Sequence, residues 1–226
     1  MALPTTAIKT RNPIRRQEKE VRREQILQAA DQVFRAVGYS EASLEKIAEK
    51  AGISRGTIYF HFQTKEELVG NLLYQGLRRL VDRMEASVSE EKDVARVLGR
   101  MAEVYYDFFA EFTEQLSILA SLQLGGLADE WTQELKRMYF EQAFRGVGIL
   151  AGVIERGVKD GRLRPVDPLS TARLLWAASF GFMAAEGRPS RRPRDPGRFK
   201  KTIELGFGLL MNGLLKESGS PTSVGS

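Results

Sequence analysis

The chain has 226 residues and a formal net charge of +5, longer than a typical small domain and suited to a small domain joined to a larger one. The absence of cysteine and the presence of one histidine, His61, exclude disulfides, thiol catalysis and Cys- or His-rich metal sites, and leave little basis for a Ser–His catalytic pair. The first 20 residues lack the apolar segment of a secretory signal, and the longest apolar uncharged run, Leu174–Ala185, has 12 residues, too short to cross a bilayer. The expectation is a soluble cytoplasmic protein with no cofactor, no metal and no enzymatic activity.

The eight prolines all lie outside residues 14–164. Proline breaks helix interiors, and this proline-free stretch is full of three- and four-residue apolar spacings. It has neither sustained alternation nor an Asn-Gly or Asp-Gly hairpin turn between alternating runs, so the fold class is all-α, with about nine helices. The expected divisions are a disordered basic arm over 1–16, a small helical head over 17–63, a larger helical body over 64–217 and a disordered polar tail over 218–226. Charge is concentrated at the start: the first 23 residues carry seven basic and two acidic side chains. Such a cluster beside a nucleic-acid reader neutralises phosphates; for Lys9 and Arg11 a solvated tail explains it equally well.

The first helix spans about Gln17 to Val37, burying Val21, Ile26, Leu27, Ala30, Val33 and Phe34, and Gly38-Tyr39 ends it. Leu44, Ile47, Ala48 and Ala51 then define one face of a short second helix. Gly52 supplies the positive φ that a chain leaving a helix often needs. Ser54 caps a third helix, anchored by Ile58 and Phe62 and exposing Arg55, Thr57, Tyr59 and His61. Two short helices on a glycine turn, the second with polar and aromatic tips, form a helix-turn-helix. Thr64 and Glu67 make a capping box at the start of the fourth helix.

Ile47, Ala48, Ala51, Gly52, Ile53, Ser54, Gly56, Ile58, Tyr59, His61, Phe62, Lys65 and Leu68 all stand where the tetracycline-repressor (TetR) family has its pattern of DNA-binding residues. The stretch from about Arg22 to Leu73 resembles that family in detail, and the rest of the chain resembles it in helical layout. Arg55 can donate bidentately to guanine in the major groove. Gly56 lets the backbone approach the groove floor, and Thr57 can offer its methyl to thymine. The resemblance implies base and phosphate contact by Ser43, Ser54, Arg55, Gly56, Thr57, Tyr59, His61 and Lys65. For Tyr59 and His61 a packing role is the alternative. Glu45 would repel a phosphate, so the second helix should touch DNA only at its N-terminus.

Further helices are expected over about Lys65–Ser87, Asp93–Phe112, Glu114–Leu124, stopping at Gly125-Gly126, and Asp129–Lys159. The last two begin at Asp167-Pro168 and Asp195-Pro196, each an N-cap aspartate before a first-turn proline. The Arg- and Pro-rich segment between them reads as a solvated loop. Both final helices carry small residues. The resemblance implies that Ala177, Ala178, Gly181, Gly206 and Leu210 belong to a twofold dimer surface, with intrachain packing as the alternative. It also implies a small-molecule pocket among the aromatics of the body, for which Tyr105, Phe109 and Trp176 are the candidates. The expected function is that of a homodimeric repressor released from a palindromic operator by a lipophilic or aromatic effector that tilts the fourth helix. The alternative is a DNA-binding protein of the same fold with an architectural role and no effector.

Overall fold

Side-chain caps set the starts of most helices in this chain. The computed structural model describes residues 13–112, 131–186 and 196–215. They form eight helices: α1 (Pro13–Glu41), α2 (Leu44–Ala51), α3 (Arg55–His61), α4 (Lys65–Glu90), α5 (Val94–Glu111), α6 (Gln133–Lys159), α7 (Pro168–Glu186) and α8 (Pro196–Leu214). The only extended pairing among them is an isolated bridge between Leu163 and Leu215. The fold is therefore all-α. The helix expected over Glu114–Leu124 and the polar tail lie outside the described residues, as do residues 1–12 of the basic arm and 187–195 of the Arg/Pro-rich loop; residues 13–16, expected in a disordered arm, are already the first turn of α1.

Local chemistry explains the boundaries. Helical geometry in α1 is interrupted at Gly38, where φ is +77°; the expected stop is thus a kink followed by one more turn. Asp93 accepts from the Arg96 N–H at 3.0 Å and starts α5. Asp167 accepts from the Ser170 N–H at 2.7 Å and starts α7. At α6 the hydroxyl of Thr132 takes the Leu135 N–H at 3.2 Å, so this helix begins a turn later than the acidic residue Asp129 suggested. The forward bond of the Thr64–Glu67 box forms, Thr64 Oγ1 accepting from the Glu67 N–H at 3.1 Å, and the Glu67 carboxylate reaches back to accept from the N–H of Gln63, one residue before the cap, at 3.0 Å.

The chain divides into two compact units, Met1–Leu68 and Val69–Ser226. In the first, Ile26, Ala30, Phe34, Ile47, Ile58 and Phe62 are almost fully buried, so the apolar faces of α1, α2 and α3 close a small core. In the second, Leu73, Leu77, Val81 and Met84 of α4 are buried, as are Val97, Met101 and Phe109 of α5 and Val153 and Ile154 of α6. α6 packs along α7, and the contact is close: a Cβ on Gly146 would lie 2.5 Å from the Trp176 ring. Gly146→Ala should therefore destabilise the protein by about 1–3 kcal/mol through overpacking. Gly148, on the same helix with open space around it, should gain about 0.5–1 kcal/mol on the same change. Urea unfolding of the two variants checks the contrast.

Candidate nucleic-acid interface

α2 and α3 are held in a fixed geometry by their caps and their turn. Ser43 Oγ accepts from the Lys46 N–H at 3.2 Å. At the other end of α2, Gly52 adopts φ +65° and donates its N–H to the carbonyls of Ala48 and Glu49. Residues with a Cβ rarely adopt that φ, so the sharp turn depends on glycine. Ser54 Oγ then accepts from the Thr57 N–H at 3.1 Å and lies 2.8 Å from the Thr57 hydroxyl. Ile58 and Phe62 are fully buried, which fixes the rotation of α3 and decides what it presents outward.

Arg55 is exposed at the first residue of α3, and Gly56 beside it is exposed too. A Cβ on Gly56 would meet nothing closer than the Ser54 hydroxyl at 3.8 Å, so nothing within the protein requires a glycine there. Tyr59 is 42% exposed, and its hydroxyl donates to the Glu45 carboxylate at 3.0 Å. Phe60 is 72% exposed, a large apolar side chain on the outer face. It follows Gly56 by four residues and Thr57 by three, so helical spacing alone aligns it with them. The sequence reading gave it no role, and that spacing is the signal that would have found it.

Two of the expected contact residues are turned inward. His61 is half-buried, its Nδ1 is buried without a hydrogen-bond partner, and burial, followed by the charges of Lys19, Arg23 and Arg22, lowers its pKa. It is therefore neutral at physiological pH and offers no charge to a phosphate. Lys65 donates its ammonium to the carbonyls of Tyr39 at 2.9 Å and Ala42 at 3.2 Å, and lies 4.3 Å from the centre of the Tyr39 ring. Its charge is spent on the turn between α1 and α2. Arg23 likewise stacks on Phe62 at 4.3 Å and donates to the His61 carbonyl.

In the second unit the three aromatic candidates meet. The Tyr105 ring centre is 5.8 Å from those of both Phe109 and Trp176. Tyr105 is 3% exposed, its hydroxyl has no partner, and burial holds its pKa well above the ordinary phenol value. It borders a void of about 10 Å³ lined by Leu98, Met101, Leu150, Leu175, Phe207 and Met211. Phe109 and Trp176 flank Tyr105 without lining this void. Of the dimer candidates, Ala177 and Gly181 are exposed and Ala178, Gly206 and Leu210 half-buried. Beside them Leu174, Leu205 and Leu209 are 62%, 65% and 65% exposed. The described residues contain no group of acidic or histidine side chains that could hold a metal and no helix long and apolar enough to cross a membrane.

Residues 26–72 match the family model described as bacterial regulatory proteins, tetR family. Over 160 residues the chain is 26% identical to an HTH-type transcriptional regulator of Bacillus subtilis, YfiR, covering 70% of this chain and 76% of that one. It is 27% identical over 140 residues to the fatty acid metabolism regulator protein of the same organism, with coverage of 62% and 70%. Among solved structures it is similar to Thermus thermophilus FadR, a TetR-family repressor in complex with lauroyl-CoA. That match has a TM-score of 0.63 and 22% identity and covers 88% of this chain and 98% of that one; the likeness is one of fold.

Proposed function

Because the chain belongs to the tetR family of bacterial transcriptional regulators, we propose that it is a homodimeric repressor that leaves a palindromic operator when a lipophilic effector of the acyl class enters its helical body. The observation that carries the DNA-binding part is the open end of α3. Arg55 stands exposed there beside a glycine that nothing in the protein requires, which fits a side chain reaching guanine while the backbone approaches the groove. Phe60 has no hydrogen-bonding group and is suited to a thymine methyl or a deoxyribose. Ser43 supplies a phosphate donor, and Tyr59 becomes one only by leaving Glu45. One head reads few base pairs, and two heads about 34–36 Å apart fit successive turns of the duplex. Leu174, Ala177 and Gly181 share one face of α7 at three- and four-residue spacing, and Leu205 and Leu209 share one of α8, giving an apolar surface for the second copy.

The acyl assignment is supported by the apolar, uncharged lining around the buried Tyr105 hydroxyl and by the relative named as a fatty acid metabolism regulator. A void of this size holds no more than one water. An acyl chain would enter by displacing the flexible side chains of Met101 and Met211. A change in the tilt of α4, which begins in the first unit and continues into the second, would then alter the separation of the heads. The test uses the duplex that the protein itself selects from a randomised pool. Lauroyl-CoA should weaken binding to it by about 5–150-fold, the usual range of allosteric coupling, and coenzyme A alone should not. By reciprocity the duplex should lower lauroyl-CoA affinity by the same factor. The small void favours a second reading, an organising DNA-binding protein without effector. Unchanged binding across saturated, unsaturated and CoA-linked acyl probes would select it.

A further inference from the structure

Glu45 is the acidic side chain through which α2 meets the exposed face of α3. Its carboxylate accepts from the Tyr59 hydroxyl at 3.0 Å, and its own backbone N–H, the Ser43 hydroxyl and the charge of Arg55 act on it electrostatically. These contacts, its own N–H first, hold its pKa below the ordinary value, so it is ionised; the same contact with Glu45 raises the Tyr59 phenol. Lys46, the neighbouring cation, donates instead to the Glu41 carbonyl at 2.6 Å. In the DNA-free protein the carboxylate thus occupies the Tyr59 hydroxyl, a donor that a phosphate would otherwise take, and it sits within the field of Arg55.

We propose that Glu45 is a specificity-determining residue that penalises complexes held by phosphate contacts more than complexes held by base contacts. The inference rests on the DNA-binding reading above. On an arbitrary sequence almost all of the affinity comes from phosphates. Arg55 then turns to the backbone, Tyr59 must leave the carboxylate to do the same, and the carboxylate repels the phosphate that they reach. On the operator Arg55 spends its donors on a base edge from the first turn of α3. Tyr59 can there remain on Glu45. The electrostatic cost therefore falls mainly on wrong sites, which is how a repulsive element sharpens recognition.

The test compares wild type with Glu45→Gln on two duplexes of equal length, one of arbitrary sequence and one selected by wild type from a randomised pool. Glutamine keeps an acceptor for Tyr59 and removes the charge. Binding to the arbitrary duplex should tighten by about 3–10-fold, with a salt slope steeper by about one per head, as expected when one more phosphate is neutralised. Binding to the selected duplex should change less than about two-fold, so discrimination falls. In a Tyr59→Phe background the gain on the arbitrary duplex should shrink, because part of it flows through the hydroxyl. Glu45→Ala, should Glu45→Gln fold poorly, gives the same directions. An equal shift on both duplexes, or no gain on the arbitrary one, overturns the proposal while leaving DNA binding intact. Failure of the wild type to select any duplex would instead overturn the DNA-binding reading.

Discussion

Arg55→Ala is expected to abolish most operator discrimination. A bidentate arginine–guanine contact is worth about 1–3 kcal/mol, and a dimer loses it twice, so operator affinity should fall by about 2–6 kcal/mol. Preference should relax at one base position in each half-site, while binding to arbitrary duplexes should weaken far less, with a salt slope lower by about one per head. Arg55 is exposed at the start of α3, so thermal unfolding should stay near wild type. Equal losses on selected and arbitrary duplexes would make Arg55 a phosphate contact. Lys65→Ala supplies the contrast. Its ammonium serves the Tyr39 and Ala42 carbonyls, so its removal should cost stability of the first unit first and DNA affinity through that.

Leu209→Glu should convert the protein to monomers. Leu209 is 65% exposed in the single chain, so a glutamate there costs the protomer little. In a twofold interface each copy would bury an unpaired charge, at about 3–5 kcal/mol for each. Sedimentation should show the monomer, circular dichroism should show unchanged helix content, and operator binding should drop because one head alone holds a half-site weakly. A dimer that survives both Leu209→Glu and Leu205→Glu would move the interface off α8.

The head was legible because its signals are local. Ser43, Gly52, Ser54 and Thr64 announce their roles within four residues, since a cap or a left-handed turn is a matter of neighbouring backbone. The apolar spacings at Leu44, Ile47 and Ala48, and at Ile58 and Phe62, likewise define the faces of α2 and α3 without reference to distant residues. Phe60, 72% exposed, follows Gly56 by four residues and Thr57 by three, so its place on the outer face is legible from the same helical spacing. The all-α class and the helix starts at Asp93 and Pro168 follow from patterns of the same short range.

What a side chain does after the helices meet depends on atoms far away in the chain. Lys65 turns toward carbonyls 23 and 26 residues before it, and Tyr59 toward a carboxylate 14 residues away. His61 is neutral because burial and the charges of α1 act on it together. The Tyr105 hydroxyl is stranded because residues of α5, α6, α7 and α8 close around it. Sequence periodicity records which face of a helix is apolar, and from it the protein's class, its reading head and its expected chemistry with DNA could be stated. Only the tertiary structure decided which polar groups on those faces are already spent on one another, because desolvation and pairing are properties of a surrounding assembled from several segments.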